Sequence, residues 1–163
     1  LDPLTRVLNR KGFDQRLASL LAQPPQAGRL HCLIMLDIDH FKHVNDTHGH
    51  VMGDRVIQAL GEVLRSCVAN QAHAVARYGG EEFAILLPHC TLDYSVQLAD
   101  TVRQRTRAMK IRDRRTQEVV LTVSISGGVA AMQPGDDGPD LIARADGALY
   151  QSKQAGRDRV TCA

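Results

Sequence analysis

The chain alternates between apolar runs of strand length and longer amphipathic stretches. Residues 31–36 and 84–88 are almost continuously apolar, which is typical of strands that are covered on both faces of a sheet. Residues 119–131 alternate instead, with Leu121 and Val123 on one face and polar side chains between them. That period of two predicts a further strand.

Four stretches carry apolar side chains at helical spacing and therefore predict helices. They run from about residue 10 to 23, from just after 50 to about 69, from about 92 to 109 and from about 140 to 154. Gly156 follows the last of them, in the position where many helices are capped. Breaks are predicted at 24–28, 45–50 and 134–139, and a solvated basic loop at 110–118.

Short strands complete the pattern at 74–78 and at the edge segment 159–162. The two glycines between 74–78 and 84–88 predict a β-hairpin. The resulting order, α-β-α-β-β-α-β-α-β, predicts an α/β layered domain with a mainly antiparallel central sheet of about five strands flanked by helices. One domain accounts for residues 1–163, and the abrupt start favours a domain excised from a longer signalling protein.

Composition narrows the classes of function. The 163 residues are 44% hydrophobic and 23% charged, as in ordinary globular domains. With 4% aromatics, no tryptophan and a net charge of +2, nothing favours nucleic acid or membrane surfaces as partners. No apolar run approaches the roughly 20 residues of a membrane span, and no signal peptide is visible. The four cysteines and seven histidines lack zinc-ligand spacing, which favours free thiols in a reducing compartment.

Two acidic stretches carry the candidate chemistry. Gly79 and Gly80 precede Glu81 and Glu82, directly before the apolar run 84–88. Taken alone, this stretch fits a hairpin turn with solvated acids, although glycines also let a ligand approach the backbone.

The second acidic stretch follows the apolar run 31–36. Asp37 and Asp39 are expected on one side of the pleat, and taken alone they fit strand-end solvation or a helix cap as well as they fit a metal site. If the two strands are neighbours, Asp37 and Glu81 converge. Oxygen ligands of this kind suit Mg²⁺, and paired Mg²⁺ ions stabilise in-line displacement at phosphorus.

Other polar residues suit a nucleotide, although each has a simpler structural interpretation. Lys42 lies near a predicted helix start, where phosphates bind well, but it also fits an ordinary surface lysine. Asn45 and Asp54 have the polar edges that recognise guanine, and an acid such as Asp54 also favours a helix N-terminus. Lys153 and Arg157 could reach a triphosphate, or could simply complement the end of the last helix.

These residues together resemble the GGDEF domain of diguanylate cyclases, over essentially the whole chain. The motifs are Asp2-x-Leu4-Thr5 with Asn9-Arg10; Leu36-Asp37-Ile38-Asp39-His40-Phe41-Lys42 with Asn45-Asp46, Gly49-His50 and Gly53-Asp54; Arg77-Tyr78-Gly79-Gly80-Glu81-Glu82-Phe83; and Ala145-Asp146, Ala148-Leu149-Tyr150, Lys153 and Gly156-Arg157.

The resemblance implies a cytoplasmic enzyme that condenses two GTP molecules into cyclic di-GMP and two pyrophosphates, with the fold of class III nucleotide cyclases and polymerase palms. It implies Mg²⁺, with Mn²⁺ as a substitute, a homodimer of domains facing head to head, and an upstream regulatory domain. The implied metal ligands are Asp37, the Ile38 carbonyl and Glu81. The implied catalytic residues are Glu81, Glu82 and Lys42, and the implied substrate-binding residues are Phe41, Asn45, Asp54, Gly79, Gly80, Lys153 and Arg157.

One position departs from the family pattern. The family's product-inhibition site is Arg-x-x-Asp just before the signature, whereas this chain has Asn70 and His73 there. Because neither the guanidinium nor the carboxylate is present, we expect no tight inhibition through that site. Two other functions stay open from the residues: a catalytically silent GTP-binding or regulatory module, and a cyclase with another nucleotide product.

Overall fold

The computed structural model describes residues 1–24 and 30–163, so the predicted break at 24–28 lies, apart from its first residue, outside the described residues. The helices are α1 (Arg10–Leu21), α2 (Phe41–His48), α3 (His50–Cys67), α4 (Leu92–Ala108) and α5 (Gly138–Gln154). The strands are β1 (Leu30–Ile38), β2 (Ala74–Arg77), β3 (Glu82–Cys90), β4 (Ile111–Arg112), β5 (Val119–Leu121), β6 (Ile125–Ala131) and β7 (Val160–Cys162).

Five of the strands form one sheet in the order β2-β3-β1-β6-β7. The pairs β2–β3, β3–β1 and β1–β6 are antiparallel, while β7 adds a parallel edge to β6. The predicted α/β class, the hairpin and the C-terminal edge strand are therefore confirmed. No helix in the described part of the chain has the length and apolar character needed to cross a bilayer.

Strand β1 lies at the centre and divides the core into two layers. Side chains of Ile34 and Leu36 pack on one face with α3 and α4, and those of Leu33 and Met35 pack on the other with α1 and α5. All four are completely buried, which explains why the run shows no alternation in the sequence. Asp37 lies near the end of the strand and shares the face of Leu33 and Met35, because alternate side chains of a strand point to the same side.

The turn predicted at 45–50 is wrong for its first four residues, which belong to α2. Phe41 and Val44 are buried on this short helix, and their burial outweighs the weak helix propensity of the polar residues that follow. The chain turns only at Gly49, whose φ of 87° ends α2 before α3 begins. Such a φ favours glycine.

The single strand predicted over 119–131 is also wrong, because residues 122–124 separate β5 from β6. At the break, the carbonyl of Ser124 accepts a hydrogen bond from the Asp39 N–H, 2.9 Å away. A long-range contact thus replaces regular strand pairing. Strand β5 instead pairs with β4, so the basic stretch predicted as a solvated loop forms a small hairpin.

Helix α5 packs unusually close to β6. A Cβ built on Gly128 would lie 2.2 Å from both the Ala145 carbonyl oxygen and the Leu149 nitrogen. Only a glycine permits this approach, because both atoms belong to the helix main chain. The close packing therefore fixes the position of the last turn of α5, which carries Lys153, relative to the sheet.

Candidate active site

The ends of β1 and β3 bring the two predicted acidic stretches together. Asp37 is the Cα partner of Glu82 across the antiparallel pair. The Ile38 N–H donates to the Glu81 carbonyl over 3.3 Å. The predicted adjacency of the two acidic segments is therefore present, because β1 and β3 are direct neighbours in the sheet.

Helix α5 supplies a cation to these acids. The Lys153 ammonium donates to Asp37 Oδ1 at 2.9 Å, and the two side chains are 25% and 16% exposed. Burial raises the pKa of Asp37 above its ordinary value, and the charges of Lys153 and of Arg157, just beyond the helix, oppose that rise. Arg157 has a φ of 65°, and its Nε is buried without a hydrogen-bond partner among the described residues. Two of the three residues predicted to hold phosphates thus lie near the predicted metal ligand Asp37.

Four carboxyl groups form an acid cluster here: Asp37, Glu81, Glu82 and Asp146. Burial is the main cause that raises the pKa of each above its ordinary value. The negative charge of Asp37 adds to the rise at the other three. Lys153 opposes the rise at Asp37, but the net direction remains upward. A bound cation would lower these pKa values and stabilise the ionised carboxylates, because an opposite charge nearby favours the charged form.

The donor types fit a magnesium ion that also binds phosphate. Asp37 and Glu81 would hold it with the carbonyl of Ile38, so every protein donor is an oxygen, as Mg²⁺ requires. No group of three or more His, Cys, Asp and Glu side chains suited to a metal occurs in the described ranges. Two carboxylates are sufficient for Mg²⁺, which usually keeps waters and substrate phosphates in its shell. The metal assignment stays a prediction.

The signature hairpin is fixed by its own backbone and by Arg77. The N–H groups of Tyr78 and Gly79 donate to the Glu82 carbonyl, at 2.8 and 3.2 Å. The Arg77 guanidinium donates to the Gly80 carbonyl from two nitrogens and also pairs with Asp2 at 3.2 Å. The N-terminal motif and the signature are therefore joined by an ion pair.

The fold itself does not require glycine at these two positions. Neither Gly79 nor Gly80 has a φ in the left-handed region, and a Cβ on Gly80 would meet nothing within 4 Å. A Cβ on Gly79 would make only ordinary contact with the Glu82 side chain, at 3.4 Å. An open backbone surface beside two acids fits the predicted approach of a ligand to the main chain.

Asp39 has a structural role that its sequence context did not reveal. It lies beyond the end of β1, 4% exposed. Its carboxylate accepts from the hydroxyls of Ser124 and Ser126, at 2.7 and 2.6 Å, and from the Asp158 N–H at 3.0 Å. The second acid of the Asp-x-Asp pair thus joins three segments, because its partners lie 85 to 119 positions away.

Helices α2 and α3 carry the other predicted substrate residues. Lys42 and Asp54 are exposed, whereas Phe41 is 9% exposed and packs into the core. Asn45 is half-buried, and its Oδ1 is buried without a partner among the described residues. This orientation leaves the amide nitrogen as the donor that could meet guanine O6 or N7. A Cβ on Gly53 would lie 1.9 Å from that Oδ1, so Gly53 makes room for Asn45.

Replacing Gly53 by Ala tests this arrangement. Alanine favours the helix by up to about 1 kcal/mol, but the added methyl must displace the Asn45 amide. For the GTP substrate that the family resemblance implies, we expect the KM to rise about tenfold, the equivalent of one lost hydrogen bond, with no loss of thermal stability. Steady-state kinetics and thermal melting measure the two effects. Gly147→Ala is the control, since a Cβ there meets nothing within 4 Å; equal KM values in both variants would contradict the role of Gly53.

The residue-by-residue predictions did not include Asp146 as a member of the acid cluster. The sequence did contain an indication of this position. Asp146 and Lys153 are seven residues apart on a predicted helix, so both side chains lie on the same side of it. No comparable signal pointed to Asp39, whose partners come from distant segments.

The chain matches known proteins along nearly its whole length. A protein-family model described as "Diguanylate cyclase, GGDEF domain" matches residues 1–159. The diguanylate cyclase VdcA of Vibrio cholerae is 42% identical over 159 residues, which cover 98% of this chain and 45% of VdcA. This chain spans less than half the length of several curated relatives that it matches.

Solved structures agree with this likeness. The GGDEF domain of DgcB from Caulobacter crescentus, in complex with c-di-GMP, superposes with a TM-score of 0.92 at 40% identity, over 99% of this chain and 91% of that one. The diguanylate cyclase SiaD from Pseudomonas aeruginosa, in complex with its activator SiaC, gives a TM-score of 0.91 at 36% identity, over 99% and 61% of the two chains.

Proposed function

This chain belongs to the GGDEF diguanylate cyclase family, and from that premise we propose that it condenses two GTP molecules into cyclic di-GMP and two pyrophosphates. The observation that carries the proposal is the position of Asp37 at the end of β1, opposite Glu82 and next to the segment of Glu81, whose carbonyl accepts from the Ile38 N–H, beside an open glycine backbone. A degenerate, silent module would be expected to lack one of these groups. All of them are present, which supports the enzyme over the regulatory alternative.

The acidic and the cationic side chains would have different roles in the reaction. Glu81 would remove the proton from the ribose 3′-hydroxyl, a step that a carboxylate within hydrogen-bond reach of the hydroxyl can perform as a general base. Bound Mg²⁺ would supply charge neutralisation at the phosphates. Lys42, Lys153 and Arg157 would hold phosphate oxygens, and Glu82 would support the site from the adjacent strand position.

Residues of α2 and α3 would bind the guanine base. The Asn45 amide can donate to O6 or N7, and the exposed Asp54 carboxylate can accept from N1–H and the exocyclic amine. Such paired donors and acceptors discriminate strongly between bases, because a wrong base leaves them unsatisfied. Each domain would present one GTP, so two copies facing each other would form the complete site. A homodimer is therefore part of the proposal.

Product identification tests the proposal directly. The protein is incubated with GTP or ATP in the presence of Mg²⁺ or Mn²⁺, over a range of protein concentrations, and the products are identified by mass spectrometry. We expect cyclic di-GMP and pyrophosphate from GTP alone, with a rate per protein that rises with concentration as dimers form. GTP binding without any product, even at the highest concentration, would favour the silent module instead.

Product inhibition through the usual position is expected to be absent. His73 is half-buried with its Nε2 3.4 Å from Cys90 Sγ, and Asn70 Oδ1 accepts from the Ala72 N–H at 2.9 Å. Neither side chain can replace an arginine or an aspartate toward a dinucleotide. Titration calorimetry should show no submicromolar cyclic di-GMP binding that depends on these residues. Installing the pair by Asn70→Arg with His73→Asp should create such binding; tight binding in the unaltered protein that is lost on changing Asn70 and His73 would contradict the expectation.

A further inference from the structure

A basic depression lies between α3, the end of α4 and the β4–β5 hairpin, and no residue of the acid cluster lines it. Its volume is about 550 Å³, within the usual range for small-molecule sites. Five cationic side chains line it, against the two acids Glu62 and Asp113. The cations are Arg55, Arg105, Lys110, Arg112 and Arg114.

The positive charge in this basic depression is not neutralised by ion pairs. Among residues 1–24 and 30–163, none of the five cations takes part in a salt bridge. Arg55 and Arg112 donate to backbone carbonyls, at 2.5 and 2.9 Å, and Arg105 donates to the Ser66 hydroxyl at 3.3 Å. All three acceptors are neutral, so the charges remain available to an anion.

The Asp113 carboxylate is already committed to the hairpin. It accepts from the backbone N–H groups of Arg115 and Thr116, at 2.8 and 3.0 Å. These bonds lower its pKa and fix the turn that presents the neighbouring arginines. Asp113 therefore stays ionised, and together with Glu62 it offsets only two of the five positive charges that line the basic depression.

The remaining lining is apolar and supplies a floor. Ala59 and Val63 from α3 face Met109 and Ile111 after α4, and Ile111 is 4% exposed. A cationic rim over an apolar floor matches a ligand that combines phosphates with a flat apolar group. Arginine forks bind phosphate through paired hydrogen bonds, which makes phosphate the anion of choice for such a rim.

We propose that the basic depression binds a pyrophosphate group, either free or carried by a nucleotide. A second depression of about 400 Å³ adjoins it and shares Arg55 and Arg114 with it. That second depression is also lined by Asp54, the residue predicted to recognise guanine. The space beside the phosphate-binding rim is therefore large enough for a nucleoside as well as for phosphates.

Calorimetric titration with inorganic pyrophosphate and with GDP, at low salt and without divalent metal, tests the proposal. We expect saturable binding that weakens as salt is added, because the contacts are charged and partly exposed. Lys110→Gln combined with Arg114→Gln should weaken it at least tenfold. Both side chains are exposed and the described structure gives neither a side-chain hydrogen bond, so the variant should melt like the unaltered protein.

Arg16→Gln is the matched control, since Arg16 is exposed on α1 outside the basic depression. It should leave both affinities unchanged. Tighter binding of GDP than of pyrophosphate, lost in the double variant, identifies a nucleotide as the ligand; equal affinities identify the phosphates alone. Unaltered affinity in the double variant, or no saturable binding of either probe, would overturn the proposal, whatever the cyclase assay shows.

Discussion

Replacing Glu81 by Gln is expected to reduce cyclic di-GMP synthesis by about 10³-fold or more. The amide cannot accept the 3′-hydroxyl proton, and loss of a positioned base alone costs 10² to 10⁴ in rate. It also removes one of the two predicted carboxylate ligands of Mg²⁺, which adds to the loss. The formation of pyrophosphate and cyclic di-GMP from GTP with Mg²⁺ measures the effect.

The same substitution should not destabilise the fold. Burial and the charge of Asp37 raise the pKa of Glu81 in the folded chain, so the folded state holds this proton more tightly than the unfolded state. The ionised group therefore costs stability above the ordinary glutamate pKa, and the cost grows as the pH rises through the folded value. Glu81→Gln removes that cost, so its melting temperature at pH 7 should equal or exceed that of the unaltered protein.

Glu118→Gln is the control for both readouts, because this glutamate is exposed on the β4–β5 hairpin outside the acid cluster. It should leave the rate of cyclic di-GMP synthesis and the melting temperature unchanged. Appreciable turnover by Glu81→Gln would refute the catalytic role of that glutamate. A lower melting temperature at pH 7 would show that the acid cluster is neutralised more completely than its raised pKa values indicate.

Replacing Gly128 by Ala is expected to destabilise the protein by about 3 kcal/mol, at the upper end of the usual cost of overpacking. The methyl would enter the main-chain turn between Ala145 and Leu149, approaching both to 2.2 Å. Neither atom can move without displacing α5 as a whole. Urea unfolding at equilibrium measures the change in the free energy of unfolding.

Gly147→Ala, on the helix α5 that packs against Gly128, is the matched control, since a Cβ there meets nothing within 4 Å. It should be neutral or stabilise the protein by up to about 1 kcal/mol, the gain in helix propensity. If Gly128→Ala unfolds no more easily than this control, the close packing of α5 on β6 is not required. In a folded Gly128→Ala protein, displacement of α5 should also draw Lys153 away from Asp37 and weaken activity.

The sequence predicted those parts of the fold that repeat a local pattern. The central strands, the hairpin and four of the five helices follow from periodicity and from turn residues. Helix α2 and the break at 122–124 do not, because each depends on contacts with distant residues. Phe41 and Val44 fold α2 by packing into the core, and Asp39 interrupts the strand by bonding to Ser124.

The candidate site was predictable to a similar extent. The convergence of Asp37 and Glu81 follows from strand ends that carry acids, once β1 and β3 are neighbours. The bond from Lys153 to Asp37 does not follow, because it depends on how closely α5 approaches the sheet. That approach is permitted by a glycine in β6, and nothing around Gly128 in the sequence indicates its purpose.

The carboxylate of Asp39 also has a practical consequence for anyone who shortens or tags this protein. It binds the backbone of Asp158, and β7 follows at Val160–Cys162. Removing these residues would therefore take one hydrogen-bond donor from the buried Asp39 carboxylate and leave the edge of β6 unpaired. Purification tags and fusion partners are better attached beyond Ala163, with a spacer that leaves the final strand paired.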